Sequence, residues 1–495
     1  MERYNRMGRG LDFNAPSPIA GQVKGLDLKG QVLFANVNGQ PRGAFNPDKN
    51  NLQPRIGASY RLSSKWVLRG GYGLYYLGQN ENGSTQGFSQ RTSAVVTTGN
   101  LMPAVNLTNA FTLLPGGKLL DAVGASKGAA SFLGEGVSAN YLNRPLPYSH
   151  QYSIDIQREL PGNLLAEVAY VGNITRKLPM SFGLNYVPTS ELNRRTAAGA
   201  IDTAYYTAQV PNPMAGLIPN NASLNGATIQ RRNLWFAYPQ FSGVTAANVP
   251  LGKQRYHGMQ AKLTKRFSQG FTFLTSYTVA KTLEQVAVLN AQDFVLSNVE
   301  GTRLVKQSAW QIDAPQKFNL TGVWELPVGK GKRWAGGIPK ALDLILGGWQ
   351  LNADINYMSG WTANYPNANQ VKPGTAKLPA DQRSMLRWFN TSLWDDPATG
   401  RRVTAQEPNT LRTFPLRFSD MRVPDYQNWD ASVSKYFPIY EQMRLQFRAE
   451  FINAFNHPWF SDLATTDVTN AAFGSLTLQQ RNLPRFVKLA LQLSW

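Results

Sequence analysis

Apolar and polar residues alternate strictly along several segments of the chain. In GWQLNADINYM, residues 348–358, every second side chain is apolar and most of the side chains between them are polar. A two-residue period sends successive side chains to opposite faces of a β-strand. Residues 148–157, 317–326 and 443–451 repeat the pattern. Each segment has about the ten-residue length that a tilted strand needs to cross a bilayer.

Short turn sequences join these segments in pairs. The turns contain Gly, Pro, Asn or Ser, which favour tight chain reversal, so the pattern predicts antiparallel hairpins. The three clearest pairs are residues 52–62 with 66–77, 148–158 with 164–173, and 256–267 with 271–282.

The connections between hairpins are long, notably residues 78–147 and 174–255 and the segments after Glu284 and Gly360. Short periplasmic turns alternating with long extracellular loops are typical of outer-membrane barrels. We therefore predict an all-β fold, an antiparallel transmembrane β-barrel, partial or complete. A soluble β-sandwich is the alternative, but its insertions would have to follow every second strand.

Residues 51–495 are predicted to form the carboxyl-terminal portion of the barrel, and residues 1–50 a partial strand and loop leading into it. About a dozen strands are expected, fewer than the roughly 22 of the large plugged transporters. Whether these strands close a barrel by themselves is left open by the sequence.

Composition limits the chemistry available. The 495 residues carry a net charge of +20, but the basic residues are spread along the chain, which argues against a nucleic-acid partner. The chain has no cysteine, and its three histidines are far apart, so neither a metal nor another cofactor is expected. Ser149 and His150 are adjacent in a strand and point to opposite faces, so they cannot form a catalytic triad, and we expect no enzyme.

No run of about 18 apolar residues is present, which excludes a membrane-spanning helix. The first residues, MERYNRMGRGLDFNAPSP, lack the apolar segment of a secretory signal peptide. We therefore expect the chain to begin inside a longer protein.

Polar residues of the alternating strands are candidates for lining a water-filled lumen, where they would hydrate the interior, pair with one another or contact a solute. The candidates are Asp155, Gln157, Glu167, Asn352, Asp354, Asn356, Arg444, Arg448 and Glu450.

Aromatic residues in the long connections could stack on sugar rings or bind peptide side chains, or could belong to interfacial girdles. These residues are Trp361, Tyr365, Trp388, Phe389 and Trp394. The glycine-rich run VGKGKRWAGG matches no phosphate-binding loop and is predicted to be a turn, with Lys330, Lys332 and Arg333 near lipid headgroups.

The last strand places an apolar row on one face and ends in an aromatic ring suited to the membrane interface. The row consists of Val487, Leu489, Leu491, Leu493 and Trp495. This ending resembles the carboxyl-terminal assembly signal that the barrel-insertion machinery reads in outer-membrane barrels.

Several longer stretches resemble the barrel half of the Oar-like TonB-dependent receptors. They include WVLRGGYGLYY, LPYSHQYSIDIQRELPGNLLAEVAYVGN, YHGMQAKLTKRFSQGFTFLTSYTVAKTLE, GGWQLNADINYMSGW and RAEFINAFNHPWF. The resemblance implies an outer-membrane protein in contact with lipid and lipopolysaccharide that takes part in active uptake of an unknown bulky solute.

In such receptors the TonB complex acts through a plug region. No segment here resembles a plug, a TonB box or a regulatory-like domain, so that coupling is expected only through an upstream region. A passive porin-like barrel or a surface ligand-binding or adhesion barrel is the alternative function, and a soluble carbohydrate-binding β-protein is the third.

Overall fold

β-strands dominate the secondary structure of the chain. The computed structural model describes residues 6–78, 86–88, 97–98, 101–103, 105–106, 108–109, 111–112, 121–219, 221–440 and 443–495. In chain order the strands are β1 (Gly8–Pro16), β2 (Lys29–Phe34), β3 (Arg55–Ser63), β4 (Trp66–Tyr76), β5 (Thr97–Thr98), β6 (Met102–Pro103), β7 (Gly136–Asn140), β8 (Tyr148–Leu160), β9 (Leu164–Gly183), β10 (Gln209–Pro211), β11 (Thr228–Gln230), β12 (Gly243–Ser268), β13 (Phe271–Gln285), β14 (Gln307–Ser308), β15 (Gln316–Glu325), β16 (Trp349–Met358), β17 (Thr362–Asn364), β18 (Arg417–Arg422), β19 (Tyr426–Tyr440), β20 (Met443–Ile452) and β21 (Phe486–Ser494). The α-helices are α1 (Thr203–Thr207), α2 (Ala222–Asn225) and α3 (Lys340–Leu346).

In the part of the chain that the structure describes, one sheet of 13 strands, the main sheet, forms the body of the protein. Eleven of these strands follow one path, in the order β21-β20-β19-β16-β15-β13-β12-β9-β8-β4-β3, while β7 and β14 attach to β12 and β13. Every neighbouring pair along the path is antiparallel. The predicted all-β antiparallel fold is confirmed. Within the described residues, β3 and β21 are the two ends of the path, each paired on one side.

The strand register gives the main sheet one apolar face and one polar face. Residues directly opposite each other in neighbouring strands share a face. One such row runs through Ile154, Tyr170, Met259 and Val279, which are 53%, 43%, 50% and 41% exposed. The adjacent row, on the other face, runs through Asp155, Ala169, Gln260 and Thr278. Large apolar side chains are therefore exposed on the sheet surface itself, as on a wall that faces lipid.

The connections divide by length between the two ends of the sheet. At one end, the short-connection end, tight turns follow β3, β8 and β12, and residues 326–348 join β15 to β16. The tight turns contain residues with positive φ, such as Asn163 at 58° and Gly270 at 77°. The long connections all lie at the other end, the long-connection end, as the sequence pattern predicts. Residues 441 and 442, between β19 and β20, lie outside the described residues, as do parts of the connection 77–147.

Two strands extend well beyond the segments that the alternation predicts. β9 continues to Gly183 instead of ending at residue 173, and β12 begins at Gly243 instead of residue 256. The extensions are buried at Met180, Phe182 and Val244, because the long connections pack over them. Side chains that are covered on both faces need not alternate, so the pattern stops where the loop packing begins.

Among the described residues, the buried apolar side chains form three clusters: two large loop cores and a small cluster of Val187, Ile201 and Tyr206. The first loop core joins the β1–β2 hairpin to the extensions of β9 and β12 and consists chiefly of Leu11, Phe34, Phe132, Phe182, Met214, Ile218, Phe241 and Val249. The second loop core lies within residues 359–425 and 453–485 and consists chiefly of Trp361, Phe389, Leu393, Trp394, Phe418, Met421, Val468 and Phe473. Both cores belong to a folded loop layer at the long-connection end.

The helices of the described residues are short. None of them is long and apolar enough to cross a membrane.

Candidate functional site

The nine predicted lumen residues all lie on the polar face of the main sheet. Glu167 is paired with Gln157 on one side and with Lys262 on the other. Asp354 is paired with Thr321 and Asp430. The same parity places the remaining candidates, Asp155, Asn352, Asn356, Arg444, Arg448 and Glu450, on this face.

Most of these side chains contact other polar groups of the face. Asn352 Nδ2 donates to Ser432 Oγ at 2.8 Å, and Asn356 Nδ2 donates to Asp354 Oδ1 at 2.8 Å. Arg448 and Glu450 form an ion pair at 2.5 Å, and Lys488 lies 3.7 Å from the same carboxylate. Asp155 Oδ1 is buried and accepts no hydrogen bond within the described residues. The face is therefore polar and partly paired, and Asp155 Oδ1 can still accept a hydrogen bond.

A cavity of about 730 Å³ opens on the same face, toward the long-connection end. Polar-face residues Arg55, Tyr75, Gln151, Ser153 and Tyr256 contribute to its lining. Its floor is made from glycine, because Gly57 and Gly71 are paired in the register and leave no side chain there. The cavity is large enough for a small ligand or part of a bulky one.

The match to known families follows this architecture. Residues 1–488 match the family described as outer membrane beta barrel domain. The chain belongs to the outer membrane beta barrel family. Its location is the bacterial outer membrane, so the apolar face of the main sheet is the lipid-facing wall of this barrel family.

Solved structures similar to this outer membrane beta barrel chain are outer-membrane receptors and transporters. One is Pseudomonas aeruginosa FpvA bound to heterologous pyoverdines, 12% identical, covering 93% of this chain and 34% of that chain, with a TM-score of 0.37. Another is the outer membrane transporter YddB from Escherichia coli, 11% identical, covering 89% of this chain and 40% of that chain, with a TM-score of 0.38. A third is the FrpB iron transporter from Neisseria meningitidis, 10% identical, covering 89% of this chain and 39% of that chain, with a TM-score of 0.35.

The outer membrane beta barrel chain thus spans well under half the length of these structures. A search of curated protein sequences gives no match.

The five aromatic residues of the long connections are not free for a ligand in the way that the sequence suggests. Phe389 and Trp394 are 0% exposed and Trp361 is 8% exposed, all within the second loop core. Tyr365 and Trp388 are half-buried against the same core. Phe389 and Trp394 are fully buried and pack edge to face, so neither ring has an open face for a sugar or peptide, and this core stabilises the loop layer of the barrel.

Among the described residues, three ion pairs around the buried carboxylates of Asp313 and Glu284 link β13 with the long connections 286–315 and 359–425 of the barrel. Asp313 accepts from Lys281 Nζ at 2.7 Å, from Arg422 NH2 at 2.7 Å and from the Thr282 backbone N–H at 2.7 Å. Arg417 contacts Glu284 at 2.6 Å and also donates to the Ser308 carbonyl oxygen. We name this group, Asp313 with Lys281 and Arg422 and Glu284 with Arg417, the loop latch.

The charge state of the loop latch follows from its hydrogen bonds. Burial opposes ionisation of Asp313, but the hydrogen bonds from Lys281, Thr282 and Arg422 outweigh it and hold the pKa of Asp313 below its ordinary value. The carboxylate is therefore charged at neutral pH and binds both cations.

The sequence reasoning missed the latch and the cavity for different reasons. Asp313 lies in an irregular segment, and Arg417 and Arg422 are the ends of the short strand β18, whose sequence shows no strict alternation. Nothing local therefore identifies these residues as partners. The cavity residues follow from alternation in WVLRGGYGLYY, which puts Gly71, Gly73 and Tyr75 on one face. Within the described residues, no group of three or more acidic or histidine side chains could hold a metal ion.

Proposed function

We propose that the chain forms the solute-contacting wall and loop layer of an outer-membrane receptor for bulky solutes, of the TonB-dependent, Oar-like kind that its segments resemble. The observation that carries the proposal is the continuous polar face of the main sheet. On β8 alone, Gln151, Ser153, Asp155 and Gln157 extend this face from the cavity toward the short-connection end. Polar groups arranged this way provide a wetted path next to a lipid-facing wall.

The loop layer supports a receptor rather than a bare pore. Each of the two loop cores is assembled from segments far apart in the sequence, and the loop latch joins them to the top of β13. A folded layer at the long-connection end can present a fixed surface to a solute, which lowers the entropy cost of binding.

The proposal assigns partners to different surfaces. Outer-membrane lipid and lipopolysaccharide contact the apolar face, and the barrel-assembly machinery reads the last strand, where Leu489, Leu491 and Trp495 are exposed. Active uptake needs coupling to the TonB complex, which we propose to occur through a plug region, and solute binding is the part of the proposal that is tested first. The proposal assigns binding and passage, and no catalysis.

Cysteine accessibility tests the polar face, because the chain has no cysteine of its own. Asn352→Cys and Leu351→Cys lie side by side in β16 and point to opposite faces. In liposomes, a membrane-impermeant thiol reagent is expected to modify Asn352→Cys and to leave Leu351→Cys unmodified. The reverse labelling would show that the faces are assigned the wrong way round.

Solute protection tests the receptor role. Ser153→Cys lines the cavity, and a panel of ferric chelates, oligopeptides and oligosaccharides is expected to contain a member that slows its modification. Asn352→Cys, outside the cavity, serves as the control for a general effect of the solute. A large steady conductance in planar bilayers, together with no protection by any solute of the panel, would reject the receptor in favour of a passive pore.

A further inference from the structure

Residues 326–348, which join β15 to β16 at the short-connection end, carry an apolar surface that nothing in the described part of the chain covers. The segment includes α3, with the sequence KALDLIL. Its exposed apolar side chains are Trp334 at 52%, Leu342 at 48%, Leu344 at 40%, Ile345 at 65% and Leu346 at 45%. Exposed apolar side chains concentrated in one short connection mark an interaction surface.

Lys435 fixes the end of α3 to the lipid-facing side of the sheet. Lys435 is paired with Trp349 and Phe447 in the register, so its side chain leaves the sheet on the apolar face. Its Nζ donates to the carbonyl oxygens of Ile345, in the last turn of α3, and of Gly347, the residue that follows the helix. The Trp349 indole N–H donates to the Ile345 carbonyl oxygen at 2.9 Å. The apolar surface of α3 therefore continues the apolar face of the main sheet.

The turn before α3 is tied to the helix and leaves its positive charges exposed. Asp343, the one acidic residue of residues 326–348, accepts the backbone N–H of Lys330 at 2.6 Å. The exposed charged residues of the segment are Lys330, Lys332, Arg333 and Lys340, of which Lys332 lies 3.9 Å from Glu325. The segment thus combines apolar side chains with a cluster of cations, the composition of a helix that lies in a membrane interface.

We propose that residues 326–348 are an interfacial anchor that lies in the periplasmic leaflet of the outer membrane. The apolar side chains of α3 lie among the upper acyl chains, Trp334 lies at headgroup level, and the four basic side chains bind the phosphate of an anionic glycerophospholipid. The leaflet follows from the position of the segment at the short-connection end, which is periplasmic in this class of barrel. Lipid is the expected partner because the segment is basic and because the apolar surface of α3 continues the lipid-facing wall.

Depth measurement tests the apolar half of the anchor. Ile345→Cys is labelled with an environment-sensitive fluorophore in the full chain reconstituted in nanodiscs, and Leu386→Cys, a 74% exposed leucine of the loop layer, is the matched control. Lipids with a quencher near the top of the acyl chain are expected to quench the Ile345→Cys label severalfold more than the Leu386→Cys label. A water-soluble quencher is expected to show the opposite preference. Equal access of the aqueous quencher to both labels would overturn the proposal.

Headgroup selectivity tests the basic half. In phosphatidylcholine nanodiscs, headgroup-tagged phosphatidylglycerol is expected to quench the Ile345→Cys label more than headgroup-tagged phosphatidylcholine at the same mole fraction. In the variant Lys330→Gln/Lys332→Gln/Arg333→Gln, the ratio of quenching by tagged phosphatidylglycerol to quenching by tagged phosphatidylcholine is expected to fall close to one. The reason is that each cation near an anionic surface contributes roughly a fivefold preference. Lys24→Gln/Lys127→Gln/Lys306→Gln, which removes the same charge from the loop layer, is expected to leave the ratio unchanged. Equal quenching by both lipids in the parent chain would contradict the proposed headgroup contact. An equal fall of the quenching ratio in both triple variants would contradict it as well.

Discussion

Asp313 and Arg422 belong to different long connections, and the Asp313 carboxylate meets the Arg422 guanidinium at 2.7 Å with its side chain fully buried. Lys281, at the top of β13, reaches the same carboxylate at 2.7 Å. The packing of one loop on another therefore depends on one charged group that three elements share.

Asp313→Asn is expected to weaken the loop layer without unfolding the main sheet. The amide can still accept the Thr282 N–H, but it leaves Lys281 and Arg422 without their counter-charge. Breaking a buried pair costs about 3–5 kcal/mol, and the half-exposed Lys281 lowers our expectation to about 2–3 kcal/mol. Faster proteolysis of residues 359–425 measures the effect. The control is Asp381→Asn, which changes an exposed carboxylate. Equal proteolysis of the two variants would show that the loop latch does not stabilise the loop layer.

Acid is expected to open the same latch. Because the pKa of Asp313 is lower in the folded protein than its ordinary value of 3.8, its contribution to stability is complete above that pH. The contribution is lost as pH falls from there through the folded pKa. Proteolysis of the loop layer by an acid-stable protease is expected to rise below about pH 4 in the parent chain and to change less in Asp313→Asn. If proteolysis of the loop layer depends on pH in the same way in the parent chain and in Asp313→Asn, a different titrating group controls the opening of the loop layer.

The main sheet could be predicted from the sequence because two different environments act on alternate residues. Ile154 faces lipid and Asp155 faces the polar side, and the two-residue period shows that difference along strands such as β8, β16 and β20. The tight turns could be predicted as well, since residues such as Asn163 and Gly270 adopt a positive φ at little cost.

The loop layer could not be predicted, because its contacts link residues far apart in the sequence. Trp394 and Phe473 lie on different long connections with their ring centroids 5.7 Å apart, and no local pattern relates them. The aromatic character of Trp394 suggested a ligand surface, because its burial against Phe473 cannot be seen in the sequence. Helix α3 could not be predicted because its seven residues, Lys340–Leu346, are too few to show a helical period beside the glycine-rich run.

Trp394→Ala is expected to unfold part of the loop layer. The indole is fully buried and its N–H donates to the Ala368 carbonyl oxygen at 3.1 Å. Truncation of a large core aromatic costs about 3–5 kcal/mol. Limited proteolysis and tryptophan fluorescence should show loss of the second loop core, while outer-membrane insertion persists. Trp334→Ala removes a half-exposed indole outside that core, and a similar loss of loop structure in this variant would contradict the assignment.

Ile154→Arg is expected to destabilise the membrane-inserted sheet, whereas Ser153→Arg, one residue away, is expected to be tolerated. Ile154 is 53% exposed on the lipid-facing side, near the middle of β8. Arginine at the bilayer midplane costs about 2–4 kcal/mol on a lipid-facing position, and much less in a hydrated interior. Urea-dependent unfolding in lipid vesicles measures the difference. Equal costs at the two positions would mean that the two faces of β8 meet the same solvent.

Gly172→Ala is expected to destabilise the sheet because of one tyrosine. The ring of Tyr152, in the neighbouring strand, lies over Gly172, and an added Cβ would stand 2.2 Å from a ring carbon. The ring would have to turn away, which would also shift its contact with His257, 3.4 Å from the hydroxyl. Overpacking of this kind costs about 1–3 kcal/mol.

Gly183→Ala, in the same strand with open space around the added Cβ, is the control, and its free energy of unfolding should stay close to that of the parent. Restoration of the parent stability by Tyr152→Ala in the Gly172→Ala background would identify the ring as the cause, while an unchanged loss would place the strain in the backbone of β9.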